Sequence, residues 1–435
     1  MSSHIPIIID PEEPSGLECL ANAVFLQATD VPEEIRSRLP SETAPISTLL
    51  KANIPNRLSD TSIVQLVKLC ASPLAPCWTV DRLFETSSPP RTWLYNLERS
   101  LSTMWASGTR SIKPPSPQNS NLRFPLWVMN FWNTAVVVAE QRDRWLAAAD
   151  WLSRRVQGPE IRGVRNLFER VPWGMKLWSL VGHERETLVG YLAELLSYEW
   201  LGERHIDTIS SYLMCQAEGE PGLGPTTLIA GADLHVYLSS HSRATAEAIQ
   251  AHGGLRTYTK RILDHQYSRL FIPVNVGENH WVVFSVDLKK QVFRYGELTR
   301  LHTNAFAYLM GVGNSLQGNG YDEEINKVSQ GIMRWGEVMF KTPLRGAGKT
   351  LEIGRQQDGD SCGICVVNSI EHHMFGTPLF THNKRDTLRI YYFTKAAEFL
   401  LDSVRTKSFH KLTILTRLNL PSPTPIASLN DHHLP

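Results

Sequence analysis

Cysteine is scarce in this chain: six in 435 residues, at positions 19, 70, 77, 215, 362 and 365. That is too few and too scattered for a disulfide framework, and a reducing compartment is the expectation. A secretory leader is not expected either, because the opening residues MSSHIPIIIDPEEPSG have neither a basic n-region nor a proper apolar h-region. Long hydrophobic runs are lacking. The most apolar of them, residues 126–139, is broken by Asn130 and Asn133 and is too short to cross a bilayer. Neither sign of charge is in excess, with 44 basic against 43 acidic residues, so neither nucleic acid nor a membrane surface is expected as a partner. Internal repeats are absent. With 42% apolar residues, what remains is a globular intracellular protein of two or three domains, in nucleus or cytoplasm without distinction between them.

What the chain does have is one dense stretch from Gln356 to His373, QQDGDSCGIC followed by VVNSIEHH. It opens polar and turns into an apolar run in which Ile364, Val367, Ile370 and Met374 recur at helical spacing, with Gly376 and Pro378 marking a stop. Asp360 or Ser361 is placed to cap the first turn, which puts Cys362 at the N-terminus of a largely buried helix. Unpaired amides and the helix dipole favour a thiolate there. Taken by itself, Cys362 reads equally well as a buried structural cysteine.

The rest of the chain falls into two textures. Residues 1–15 read as a flexible lead. Residues 16–175 read as an all-helical accessory domain of unassigned role, with helices expected at 17–27, 63–71, 93–105 and 125 to about 156. Trp127, Trp132, Trp145 and Trp151 on the last of these read as core rather than as a binding stripe. From 180 to 405 helix and strand signals mix. Helices are expected at 184–197 and on to about 214, and strands at 270–274, 280–288 and 291–295. Lys289-Lys290 reads as a two-residue hairpin turn between the last two strands. Residues 301–350 look irregular, 332–340 reads as helix or strand, and 386–404 reads as a final helix. The tail from 419 to 435, rich in Pro, Ser and His, is expected to be disordered.

A cysteine nucleophile needs a base, a group to orient that base, and donors for the oxyanion. His280 opens a strand and is the natural base. The orienting acid is Asp287 or Glu297. Alternation puts Asp287 on the other face from His280, whereas an antiparallel neighbour brings the 295–297 end back beside it, so geometry favours Glu297. Gln356, six residues before Cys362, is a neutral donor able to line an oxyanion hole with the Cys362 backbone N–H. Bland alternatives stand beside each: a core histidine, a solvated turn carboxylate, an exposed loop glutamine.

The order His280-Trp281, an acid 17 residues on, then Gln-x-x-Gly-x-Ser-Cys-Gly resembles the ubiquitin-like-protein-specific cysteine proteases, the SUMO deconjugases and their adenain-like relatives. Their pattern is His-Trp, an Asp in a Tyr-x-Asp-Ser-Leu setting, and Gln-x-x-Gly-x-Asp-Cys-Gly. This chain matches at His280, Trp281, Tyr295, Gln356, Gly359, Cys362 and Gly363, and Trp200-Leu201-Gly-Glu203…Ile206 is similar to the family's entry motif. Papain-like enzymes have the order Cys, His, Asn, which disfavours them.

The resemblance, over roughly 180–405, implies an α+β, adenain-like cysteine protease domain with a mixed central sheet and the nucleophile at a helix N-terminus, preceded by the mostly α-helical domain. It implies a Cys362–His280–Glu297 triad, Gln356 as oxyanion donor, and Trp200 and Trp281 flanking a substrate's Gly-Gly tail. The partner implied is a ubiquitin-like modifier, SUMO-like first, and its conjugates. No cofactor and no metal are implied. Two residues depart from the family pattern: Glu297 stands for Asp, and Ser361 stands for the Asp before the nucleophile. The excess length between Glu297 and Cys362 reads as an insertion around 301–350. The rival from another class is an inactive module that binds ubiquitin-like proteins without cutting them. Gly348-Lys349-Thr350 lacks the first glycine of a phosphate loop, and Cys362-x-x-Cys365 lacks a second ligand pair for zinc, so neither motif is assigned a function.

Overall fold

Two neighbouring runs, RLFIPVNV and HWVVFSVD, are apolar at most positions, the pattern of strands covered on both faces. In the computed structural model, which describes residues 24–58, 70–115, 121–155, 157–177, 187–219, 226–296, 320–341 and 343–417, they are the centre of a sheet. Among the described residues that sheet has five strands in the order β1 (Thr227–Ile229), β2 (Arg269–Val276), β3 (His280–Asp287), β4 (Val292–Gly296) and β5 (Arg345–Gly346). The outer pairs β1–β2 and β4–β5 are parallel, and the inner pairs are antiparallel. The chain is thus α+β with a mixed sheet.

The chain divides into two compact units, residues 1–147 with 172–174, and residues 148–171 with 175–435. In the first, helix α1 (Arg91–Ala106) and helix α2 (Val128–Ser153) as far as Ala147 carry the aromatic core. Trp132 meets Trp93 and Phe124 edge-on, with ring centroids 6.2 and 5.7 Å away. Trp127, Trp132, Trp145 and Trp151 are all buried, as large aromatics on an amphipathic helix are expected to be.

The second unit contains α3 (Pro159–Phe168), α4 (Glu203–Gly219), α5 (Leu234–Ser240), α6 (Gly320–Met339), α7 (Cys362–Phe375) and α8 (Arg385–Arg417). Helix α7 is its centre, packed against β3 and α4. Ile364, Val367 and Ile370 are fully buried, each worth about 1.5–3 kcal/mol of transfer free energy. Asn368, Ser369 and Glu371 on α7 are buried too, and each is matched. Asn368 bonds the backbone of Pro378 and Phe380, the Ser369 hydroxyl donates to Glu352 O at 2.7 Å, and the Glu371 carboxylate accepts from Tyr391 and Tyr392. Gly376 ends the helix at φ 71°, a left-handed cap that favours glycine.

Three local expectations change. The helix expected at 184–197 is a 3-10 helix at Val189–Leu196, most of it buried. Residues 178–186 lie outside the description. The hairpin turn runs from Leu288 to Gln291 rather than over two lysines. Lys290 N–H donates to Asp287 Oδ1, and the positive φ of 58° falls on Gln291. Residues 332–340 belong to a helix up to Met339. The helices expected at 17–27 and 63–71 fall mostly outside the described residues. Among the described residues, no helix is long and apolar enough to cross a membrane, and no group of three or more His, Cys, Asp or Glu could hold a metal ion.

Helices α5 and α6 cross so closely that a Cβ at Gly331 would sit 2.2 Å from the carbonyl oxygen of Leu238. Gly331→Ala is expected to force the helices apart and to cost about 1–3 kcal/mol, read as a lower urea midpoint at unchanged slope.

Candidate active site

Cys362 is the first residue of α7 and is buried. Ser361 occupies the N-cap position, but its side chain makes no capping bond. Its hydroxyl turns back instead to Asp358 Oδ2 at 2.8 Å. Asp358 organises the whole approach to the nucleophile. Its Oδ1 accepts from the Gln356 side-chain amide at 3.0 Å and from the backbone N–H groups of Asp360 and Ser361 at 3.1 and 2.9 Å. Burial by itself would raise this carboxyl, but those hydrogen bonds together hold it below the usual carboxylate range. Gln356 is buried, and a carboxylate can only accept, so it is the NH2 end of the Gln356 amide that faces Asp358. Burial pushes the Cys365 thiol well up, which marks that residue as core.

Trp200 lies in a segment pinned on both sides. The Tyr198 ring sits under the Arg385 guanidinium at 3.9 Å, and its hydroxyl donates to Asp386 at 3.2 Å. Glu199 O accepts from Arg389, Leu201 O accepts from the Trp281 indole at 2.7 Å, and Gly202 N–H donates to His205 Nδ1 at 3.1 Å. Burial holds that histidine's pKa down, which keeps its acceptor nitrogen available. Amid these ties the Trp200 side chain stays 37% exposed, whereas Trp281 is 1% exposed.

Arg389, on α8, joins this segment to the nucleophile's loop. Its side chain is fully buried and bonds Glu199 O at 3.0 Å, Glu194 O at 3.3 Å, Asp360 O at 3.2 Å and the Asp360 carboxylate at 3.0 Å. Burial pulls its pKa down against the pull of Asp360 and Asp358. Asp360 itself is raised, first by burial and then by Asp358 beside it.

His280, the first residue of β3, is buried opposite Val276 of β2. It follows a tight turn in which Gly277 and Glu278 have φ of 59° and 55°. Next along the strand, Trp281 sends its indole to Leu201, and Leu201 also backs onto α7. A Cβ at Gly363 would lie 2.9 Å from Leu201 Cβ, so only glycine fits there. Cys362 and His280, each one residue from these contacts, are therefore carried by α7 and β3 to the same part of the fold. Asp287 is at the opposite end of β3 and pairs with Lys290. Glu297 lies outside the described residues; β4 ends at Gly296, opposite Val283.

Asp358, Arg389, His205 and Tyr321, whose ring stacks on His280, were not singled out from sequence. Asp358 alone carried a signal, as a second acid inside the motif. A cysteine at a helix N-terminus, a histidine at the start of a strand packed against that helix, and a side-chain amide in the loop before the helix are the residue types that thiol acyl transfer requires.

Residues 199–404 match the Ulp1 protease family, C-terminal catalytic domain. No curated protein sequence matches the chain. Solved structures similar to it include the C-terminal Ulp1 protease domain in complex with Smt3, the yeast ortholog of SUMO, at 17% identity and TM-score 0.36 over 56% of this chain and 95% of that one. The Ulp1-like SUMO protease catalytic domain of Chaetomium thermophilum is 17% identical, with TM-score 0.38 over 57% and 90%. The Xanthomonas campestris effector XopD bound to ubiquitin is 18% identical, with TM-score 0.30 over 46% and 92%.

Because the Asp358 carboxyl is depressed below its ordinary value of 3.8, the stability it supplies is complete above that value and is lost as pH falls through the lower folded one. The difference in unfolding free energy between wild type and Asp358→Asn is expected to hold steady from about pH 7 to about pH 5 and to narrow in more acid solution, read by urea titration at each pH. A gap that widens on acidification would contradict this assignment.

Proposed function

We propose that the chain is a cysteine protease that cleaves peptide or isopeptide bonds after the C-terminal Gly-Gly of a ubiquitin-like modifier, SUMO-like modifiers first among them. Cys362 Sγ attacks the last glycine carbonyl while His280 takes the thiol proton. The oxyanion is met by the Cys362 N–H and the Gln356 amide. Collapse breaks the C–N bond, and His280 returns the proton to the departing amine. Water, deprotonated by His280, then hydrolyses the thioester. Glu297 orients the imidazole, the longer acid doing what an Asp does in other triads.

The observation that carries this reading is the pinned Trp200 segment, tied through Arg389 to the loop of Cys362. An exposed indole on a segment tied to the nucleophile's loop suits a glycine backbone, which has no Cβ to keep the ring at a distance. Trp281 supports it from beneath through Leu201.

The test is labelling of the full chain with SUMO, ubiquitin and other ubiquitin-like proteins carrying a C-terminal electrophile. A covalent adduct with one of them, lost in Cys362→Ala and His280→Ala, is expected. Gln356→Ala is expected to slow turnover by about a hundred-fold or more, the effect of removing one oxyanion donor. Binding of a modifier with no adduct would leave the inactive binding module as the answer.

A further inference from the structure

The stretch read from sequence as an insertion, residues 301–350, includes the first turn of α6, and that turn docks on the bend that delivers His280. The Tyr321 ring stacks on the His280 imidazole with centroids 5.3 Å apart and planes 28° from parallel. The Tyr321 hydroxyl donates to Asn279 Oδ1, on the residue just before His280. One turn along α6, Glu324 Oε2 accepts the N–H of Gly277 at 2.6 Å. Gly277 has φ of 59°, and a Cβ there would meet Tyr321 Cε1 at 2.8 Å. Three residues of the bend, Gly277, Asn279 and His280, and one face of α6 are therefore fitted to each other.

We propose that Tyr321 is a positioning residue for His280, its ring fixing the plane of the imidazole; this rests on His280 being the base. The second side-chain torsion of a histidine is broad, so the plane of the imidazole can swing unless something packs against it. A flat partner 5.3 Å away removes that swing. The consequence for rate is large, because a misplacement of about 1 Å can cost up to about a hundred-fold. The segment thereby has a task in the reaction, although no chemistry is legible in it.

Two variants separate the ring from its hydroxyl. Tyr321→Phe keeps the stack and loses the bond to Asn279; Tyr321→Leu loses both at similar bulk. Turnover of the modifier substrate by Tyr321→Leu is expected to fall about ten-fold in kcat with KM nearly unchanged, and Tyr321→Phe to stay within about three-fold of wild type. The rate of Cys362 alkylation by iodoacetamide, read by peptide mapping, is expected to fall in the same order. Unchanged kcat and alkylation in Tyr321→Leu would overturn the proposal, as would equal losses in both variants or a loss confined to KM. Should Tyr321→Leu fail to fold, Tyr321→Met makes the same cut. If wild type turns over no modifier, it is the protease reading that fails, and the alkylation series still decides whether Tyr321 governs the reactivity of the Cys362–His280 pair.

Discussion

A single guanidinium buried among carbonyls sets the geometry of this site. A charge taken out of water costs several kcal/mol unless its surroundings replace the lost hydration. Arg389 finds that replacement in four oxygens drawn from two separate stretches of chain: Glu194 O and Glu199 O in one, and the carbonyl and carboxylate of Asp360 in the other. The requirement works in both directions. The arginine needs those oxygens to be buried at all, and its planar fork holds the stretches at fixed spacing. One of these is the end of the Val189–Leu196 helix and the Trp200 segment after it; the other leads into Cys362. A lysine offers a point charge and three donors without the fork, so the position specifies arginine in a way that charge alone does not.

The acids around it are arranged to match. Two carboxylates two residues apart would repel, and Asp360 does respond with a raised pKa. Asp358 keeps its charge because the Gln356 and Ser361 side chains and two backbone N–H groups converge on it. The departure at position 361 from the family pattern then has a physical account. Where the pattern has an Asp before the nucleophile, this chain has a Ser whose hydroxyl donates to Asp358, so that a carboxylate still stands in the loop. The same carboxylate draws the donor end of the Gln356 amide, which links the shape of the loop to the chemistry asked of Gln356.

Much of this was legible in the sequence, for reasons that separate local from distant causes. The strands at β2, β3 and β4 follow from runs of β-branched and aromatic residues, and α7 from the spacing of Ile364, Val367, Ile370 and Met374 with a glycine stop. Cys362, His280 and Gln356 are legible because their spacing lies within short motifs. The 3-10 segment was misread as α-helix because a uniformly apolar run has no period to distinguish the two. Arg389 and Tyr321 were not legible at all. Each acts on a residue far from it in the chain, and no local pattern announces which arginine of a helix will be buried or which tyrosine will meet a histidine. Asp360 or Ser361 is the cap expected from position; Ser361 stands at the N-cap, but the nearby carboxylate of Asp358 takes its hydroxyl.

The measurement that tests this account most directly is hydrogen–deuterium exchange on Arg389→Lys beside wild type. If one guanidinium spaces both stretches, amides in 199–202 and in 360–363 should lose protection together, while those of the β3–β4 hairpin stay as they are. Loss of protection in one stretch alone, or in neither, would contradict it, since the two would then be held by separate contacts and Arg389 would be an ordinary buried side chain.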